Sequence, residues 1–415
     1  MIDSKIFLKK LLDSAISAAL PLHCLPRWLP SKPKGRLVVI GAGKAAASMA
    51  KVIEKQWEEP IEGVVIVPYG YAESCQHIKV IEASHPVPDE AGLEAATQLI
   101  NTVSNLRESD SVICLISGGG SSLMCLPING ISLYEKQKIT SALLNSGAGI
   151  HEINCVRKKL SAIKGGKLAN ICYPASIITL IISDIPGNDV SMAASGPTIT
   201  DASTGKEALE ILNRYKVDIS QKTKKIIENS KPVKVTKNDI RILATSDDAL
   251  IAASNIAIKY NVMPYSLGDL SGDARILGRE HAKLAMQIKS GNGPVTPPCV
   301  IISGGETTVE VCGNGRGGRN GEYALSLALE LNGESDIQAI VCDTDGIDGG
   351  GNNAGCYVTP STLSRAKSLG INARDMLDQN NSYDFFNSIN DLVITGPTKT
   401  NVNDFRAIFI SNYYD

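Results

Sequence analysis

The chain has 415 residues, of which 43% are hydrophobic and 20% charged, and its formal net charge is -2. That length exceeds one ordinary core and implies two or three domains, while the composition argues against long disordered stretches. With no basic block anywhere, the chain lacks the electrostatic footprint of nucleic-acid or membrane-surface binding.

The first residues, MIDSKIFLKKLLDSAISAALPLHCLP, place Ile6, Phe7, Leu11, Ile16 and Leu20 among Lys9, Lys10 and Asp13. The spacing predicts an amphipathic surface helix packed on the body. A signal peptide would need an unbroken apolar run and a small-residue cleavage site. No apolar run approaches the length of a bilayer span. None of the ten cysteines forms a C-x-x-C pair or a Cys/His cluster of zinc spacing. Most read as buried thiols of a reducing compartment, so a cytoplasmic enzyme is expected.

From there the pattern is strand, glycine turn, helix, repeated. RLVVI (36–40) predicts a buried strand, followed by GAG and the helical KAAASMAKVIEKQW. VVIV (64–67), IKVIEA (78–83), SVICLI (111–116) and SIITLIIS (176–183) predict further strands. Asp89 is an expected helix N-cap, and Ser132 with Glu135 forms a capping box. Continuous apolar runs joined through helices indicate a parallel sheet covered on both faces. The lysine-rich stretch 216–238 predicts a helix and then a linker, which puts a domain boundary near 236. The pattern restarts with RILAT (241–245), a strand near 263–267, CVIISGGE (299–306) and AIVCDTDG (339–346), and VITGP (393–397) suggests one more. The expected domains are therefore 1–236 and 237–415, with the extreme C-terminus free to pack back on the first. SGGGSS and SGGET each follow an apolar run, an echo that fits either two related sheets or chance.

In open parallel sheets, ligands bind beyond the carboxyl ends of the strands. The polar and glycine-rich segments fall there: GAGK (41–44), SGGGSS (117–122), SDIPGND (183–189), SGGET (303–307), GNGRGGRNGE (313–322) and CDTDGIDGG (342–350). Ser117, Gly118, Gly119, Gly120, Ser121 and Ser122 supply exposed N–H groups and hydroxyls of the kind that cradle phosphate. Gly304, Gly305, Glu306 and Thr307 read the same way. Gly41, Gly43 and Ala46 satisfy G-x-G-x-x-A, yet the dinucleotide fingerprint also needs an acid at the end of the second strand. Pro68-Tyr69-Gly70 offers none. Lys44, expected in a first helical turn beside Gly43, is better suited to an anion. Arg316 and Arg319 lie in a loop with five glycines, where planar recognition of carboxylate or phosphate is expected. Asp343, Asp345 and Asp348 resemble the start of a calcium loop, but its twelfth position is Ala354, which excludes an EF-hand. Asp184 and Asp189, like Asp345, are candidates to hold Mg2+. His85 and His151 stand alone and read as structural.

Taken together, GAGKAA, ASHPVPDEAGL, LISGGGSSL, RKKLSAIKGGKLA, SDIPGNDVSMAASGPT, SGGETTV, GRGGRNGEYAL, DTDGIDG and TGPTKTNVND resemble, in order, the blocks of the glycerate 2-kinases that carry a MOFRL C-terminal domain. The resemblance spans about residues 35–406. It implies an α/β fold of two α/β/α domains, the first Rossmann-like with a mostly parallel sheet and the second smaller and mixed. It implies ATP-dependent phosphorylation of glycerate to 2-phosphoglycerate with Mg2+, and it places the catalytic lysine, arginine and aspartate on Lys44, Arg319 and Asp345. Lys399 stands where the resemblance leads one to expect glycine. The competing readings are an NAD(P)H-dependent hydroxypyruvate reductase, a label members often carry, and a non-catalytic nucleotide-binding module. A homo-oligomer is left open.

Overall fold

The computed structural model describes residues 3–411 apart from 59, 186 and 188, so Pro186 and Asn188 of SDIPGND lie outside the described residues. The chain forms two compact units. One is Pro21–Leu243, and the other joins Met1–Leu20 to Ala244–Asp415.

The first unit is built on six strands: β1 (Leu37–Ala42), β2 (Ile61–Pro68), β3 (Ile78–Ala83), β4 (Ser111–Ile116), β5 (Ser176–Ile182) and β6 (Asn238–Ala244). Their order is β3-β2-β1-β4-β5-β6. The pairings from β3 through β5 are parallel. This is the Rossmann order, in which the direction of winding reverses between β1 and β4. Every residue of β1 is buried, as the unbroken apolar run required. RILAT was expected to restart the pattern in a second domain, but it belongs to β6 at the edge of this first sheet. The burial of β6 explains the misreading. Only Leu243 and Ala244 are buried, so the strand has the half-polar sequence of an edge.

Between β4 and β5 the chain inserts a helical layer. Leu133–Asn145 and Ile150–Lys159 pack with Gly205–Arg214 and Gln221–Glu228, which follow β5, around Ile139, Leu143, Val156, Leu160, Leu212 and Ile227. This small core is separate from the one beneath the sheet.

The second unit contains β7 (Met263–Asp269), β8 (Gly272–Asp273), β9 (Cys299–Gly304), β10 (Thr307–Thr308), β11 (Ile337–Asp343), β12 (Gly355–Val358), β13 (Leu392–Val393) and β14 (Asp404–Ile410). Six of them form a mixed sheet in the order β13-β12-β11-β14-β9-β7, and β8 and β10 form a short ladder. Among the described residues of the six-stranded sheet only β7 and β9 pair in parallel, as β8 and β10 do in their ladder, whereas β14 runs antiparallel to both β9 and β11. A mixed sheet beside a parallel one gives no support to the idea of two duplicated sheets. The terminal strand β14 lies wholly buried at the middle of this sheet. The helix Ser4–Ala19 belongs to the same unit and turns Phe7, Leu8, Leu11, Leu12 and Ile16 inward, with Phe7 against Phe409 of β14. Lys399 adopts φ 65°, a left-handed conformation that favours glycine, which accounts for the residue type expected there. No helix among the described residues is long and apolar enough to cross a membrane.

His281, on the helix Ala274–Lys289, is buried and its Nδ1 shares a hydrogen bond with the Tyr323 hydroxyl. Burial, assisted by the Arg406 guanidinium, lowers its pKa to about 4. A His held neutral in the fold stabilises it above the unfolded value, and that stability is lost as pH falls toward the folded value. Folding stability is therefore expected to drop by about 3 kcal/mol between roughly pH 6.5 and 4 on account of this residue. Urea midpoints measured across that range should show a shallower slope in His281→Asn, and an unchanged slope would remove His281 as the cause.

Candidate functional site

At the β1/β4 switch point of the first unit, the loops after the two strands interlock. Gly43 has φ 137°, and a Cβ there would lie 2.2 Å from Ser117 Oγ, so only glycine fits. The Ala45 N–H donates to Ser117 Oγ at 3.0 Å, and the Lys44 N–H donates to the Gly118 carbonyl at 2.9 Å. Lys44 is half-buried in the turn just ahead of the helix Ala46–Gln56, rather than in its first turn as expected. It thus leaves β1 beside the loop after β4, where the Rossmann order opens a crevice.

In SGGGSS most hydrogen-bonding capacity is already engaged. Ser117 takes the Ala45 N–H, Ser122 Oγ donates to the Gly119 carbonyl, and Ser121 Oγ is 2.7 Å from Ser195 Oγ. The Gly118 and Gly119 N–H groups make no hydrogen bond to a described residue, which leaves them as donors for an anion. Gly119 has φ 84°, and a Cβ on it would touch the His85 ring at 2.9 Å.

The segment after β5 is strained. Ala194, Ser195 and Gly196 all have positive φ, of 49°, 61° and 60°. Such residues persist where their surroundings over-determine them. Here Ser195 Oγ donates to Asn154 Oδ1 at 2.9 Å, and Lys164 Nζ donates to the Ala194 carbonyl at 3.1 Å. Asp184 and Asp189 lie upstream in the same segment. Asp189 is exposed and accepts the Ser191 N–H; the Ser191 side chain and that N–H hold its carboxyl below the ordinary range against burial.

In the second unit, Arg319 opens the helix Arg319–Leu331 and donates to three carboxylates. Nε reaches Asp404 at 2.9 Å, Nη1 reaches Glu306 at 2.7 Å, and Nη2 reaches Asp343 at 2.8 Å. Burial pulls its pKa down, but Asp404, Asp343 and Glu306 outweigh burial and hold it above the ordinary value. Asp404 also accepts from Asn320 Nδ2 at 2.8 Å and from Arg406 Nη2 at 2.6 Å. Asp345 is buried, and its Oδ1 accepts the Ile347 N–H at 2.8 Å. Asp348 accepts the N–H groups of Asn320 and Gly321, capping the same helix. Burial raises its carboxyl to about 6, against the pull of those two donors. The three aspartates of CDTDGIDGG therefore serve three different partners.

SGGET faces the protein's own acids rather than open solvent. Thr307 N–H points to Asp404 Oδ2 at 3.5 Å, and the Gly305 N–H hydrogen-bonds to Asp269. Gly304 gives its carbonyl to Arg406 and to the Leu270 N–H, so this turn is packed as well as polar. Arg316, grouped with Arg319 in the sequence, stacks on the Tyr383 ring at 3.8 Å. The glycines of its loop have a packing role, since a Cβ on Gly313 or Gly315 would lie 2.4 Å from the Gln379 backbone.

Sequence reasoning missed Asp404 and Arg406, which sit at alternate positions of the apolar run DFRAIFI. It also missed Lys136, Arg157 and Lys164. A signal for Lys136 existed: it shares three- and four-residue spacing with the buried Leu133, Ile139 and Leu143 of its helix. Asp404 is 1% exposed and serves two arginines, so Asp404→Ala should cost about 3–5 kcal/mol of stability by leaving them under-compensated. Arg316→Ala should cost under about 1 kcal/mol, the scale of an exposed cation–π contact. Equal losses in chemical denaturation would contradict this ranking.

Comparison with known proteins agrees with this architecture. Residues 7–228 match a family model described as a domain of unknown function (DUF4147), and residues 299–404 match the MOFRL family. A D-glycerate 2-kinase from Thermotoga maritima is 39% identical over 95% of this chain and 95% of its own. A relative from Agrobacterium vitis, provisionally named a hydroxypyruvate reductase, is 45% identical over 99% of this chain and 95% of its own. The crystal structure of glycerate kinase from Thermotoga maritima superposes with a TM-score of 0.90 at 37% identity, covering 98% of this chain and 99% of that one. The chain belongs to the glycerate 2-kinase family that joins a DUF4147 domain to a MOFRL domain.

Proposed function

We propose that this protein is an ATP-dependent glycerate 2-kinase, transferring the γ-phosphoryl of ATP to the 2-hydroxyl of glycerate and releasing 2-phosphoglycerate and ADP. The observation that carries the reading is the chemistry of the β1/β4 switch point. A glycine loop bearing Lys44 lies beside the unspent N–H groups of Gly118 and Gly119. At the end of β2, where a dinucleotide enzyme needs an acid for the ribose, stand Pro68, Tyr69 and Gly70. The kinase names of relatives that match nearly the whole chain support it further.

Phosphoryl transfer passes through a loose transition state, so the protein's task is positioning and charge neutralisation. Lys44 is assigned to the migrating phosphoryl, and the Gly118 and Gly119 N–H groups to ATP phosphate oxygens. Arg319 has five donor hydrogens and spends three on Asp404, Glu306 and Asp343, which leaves two for a substrate oxygen. Asp345, anchored by the Ile347 N–H, is assigned to orienting the hydroxyl.

Mg2+ bound with ATP would supply charge neutralisation for the phosphates. Among the described residues no three metal-binding side chains cluster. Mg2+ in such enzymes takes one or two carboxylates and completes its shell with phosphate and water, so this donor set fits. Asp184, Asp189 or Asp345 would hold it. The ten free thiols support a reducing, cytoplasmic setting.

With D-glycerate and ATP, ADP release should depend on Mg2+ and stop when the metal is chelated. Lys44→Ala should lower kcat about a hundredfold, the scale of one preorganised charge, with a much smaller effect on ATP binding. Arg319→Lys should not restore the activity lost in Arg319→Ala, because lysine cannot reproduce the planar fork. NADH or NADPH oxidation by hydroxypyruvate should stay at background. Rapid cofactor oxidation with no ATP turnover would return GAGKAA to its dinucleotide meaning.

A further inference from the structure

Within the first unit, a cavity lies between SGGGSS and the inserted helical layer. Ser121 and Ser122 form one wall, and the helix Leu133–Asn145 forms another, tied across by Gln137 Nε2 donating to the Pro88 carbonyl at 2.6 Å. Three cations reach it: Lys136, Arg157 and Lys164.

None of the three forms an ion pair with a described residue. Lys136 is 4% exposed, and its ammonium has the Cys125 thiol beside it rather than a carboxylate. Arg157 is half-buried, and Lys164, 1% exposed, donates only to the Ala194 carbonyl and, at 3.4 Å, to Ser121 Oγ. Nearby Lys159 shows how this fold treats a buried lysine that serves structure alone. It is equally enclosed but reaches the Asp201 carboxylate at 2.8 Å and the Ser203 carbonyl at 2.6 Å. Burying one cation without a counter-charge is costly, and grouping three adds mutual repulsion. Burial first, then the neighbouring Lys136, pushes the Lys164 ammonium well below its ordinary pKa; Cys125 opposes this, and Arg157 adds a lesser push in the same direction. An entering anion would remove both costs.

We propose that this cavity is the seat of the hydroxy-acid substrate, with Lys136, Arg157 and Lys164 holding its carboxylate and Ser121 and Ser122 facing its hydroxyls. This rests on the kinase reading for the identity of the acid, but not for the existence of the anion site. Lys164 would link the two features of the first unit, since the ammonium that meets the carboxylate also pins the strained Ala194–Gly196 segment through the Ala194 carbonyl.

The test is isothermal titration of the full chain with D-glycerate in the absence of nucleotide, with ATP and inorganic phosphate titrated separately. Lys136→Met and Arg157→Gln should each weaken glycerate binding about tenfold or more, as expected for a charge-assisted hydrogen bond, and leave ATP affinity unchanged. In turnover, both should raise the KM for glycerate more than they lower kcat. Lys136→Met should melt at the same or a higher temperature, because an apolar side chain of similar volume replaces an unpaired buried charge. That behaviour separates lost binding from lost folding, and Arg157→Gln gives a second, less buried probe. Wild-type protein that takes up no glycerate, or variants that bind it as tightly as wild type, would overturn the proposal. So would variants that lose affinity for ATP or phosphate while keeping glycerate. Normal ADP release with unaltered KM in both variants would sink the cavity assignment and spare the kinase reading. Glycerate binding that depends on Lys136, with no ADP formed, would do the reverse.

Discussion

The first unit gathers positive charge at one enclosed place without acids to balance it there. Lys136, Arg157 and Lys164 meet at one cavity with no carboxylate partner among the described residues. The cost of that arrangement is tolerable in a fold whose core is large and apolar, and an anion bound there would relieve it. The strained Ala194–Gly196 turn is held by the same lysine and by Ser121, so the cavity and the serine loop are mechanically one object. The second unit uses the opposite sign. Arg319 and Arg406 are paired with carboxylates, Arg319 with Asp404, Asp343 and Glu306 and Arg406 with Asp404.

This contrast bears on how the two units divide the work of a phosphotransferase. A surplus of unpaired cations and N–H donors suits binding of anionic ligands, and the switch point of a parallel sheet is where such ligands sit. A charge-compensated arginine–carboxylate network suits rigid placement of a few side chains at a helix start. Asp348 belongs to that scaffold. Its carboxylate receives the first N–H groups of the helix that carries Arg319, which fixes where the guanidinium begins.

Much of the first unit was legible in the sequence because parallel strands buried on both faces give unbroken apolar runs. SVICLI and IKVIEA coincide with β4 and β3, and Asp89 and Ser132 cap the helices they announced. The edge strand β6 was assigned to the wrong unit because half-polar strands carry little pattern. β14 went unseen although it is fully buried. Its charged residues, Asp404 and Arg406, mask the apolar run; they are buried with each other as partners, and Asp404 also pairs with Arg319 while Arg406 donates to the Gly304 carbonyl. The site was legible where glycine marks a loop: Gly43 and Gly119 have the backbone angles their residue type suggested. It was less legible at the cavity cations, where Lys136 lies on a helix and Lys164 in a turn. Lys136 shares the spacing of the buried residues of its helix, but Lys164 looks like a surface charge until the fold encloses it, since no local pattern encodes the absence of a counter-ion.

The central claim is a chemical one, that the phosphoryl group arrives on the 2-oxygen of glycerate. Phosphorus NMR of a reaction containing the purified chain, D-glycerate, ATP and Mg2+ tests it most directly. The account predicts loss of the γ-phosphate resonance of ATP in step with growth of the 2-phosphoglycerate resonance. Growth of 3-phosphoglycerate as the first product, or an unchanged ATP spectrum while hydroxypyruvate oxidises NADH, would contradict it.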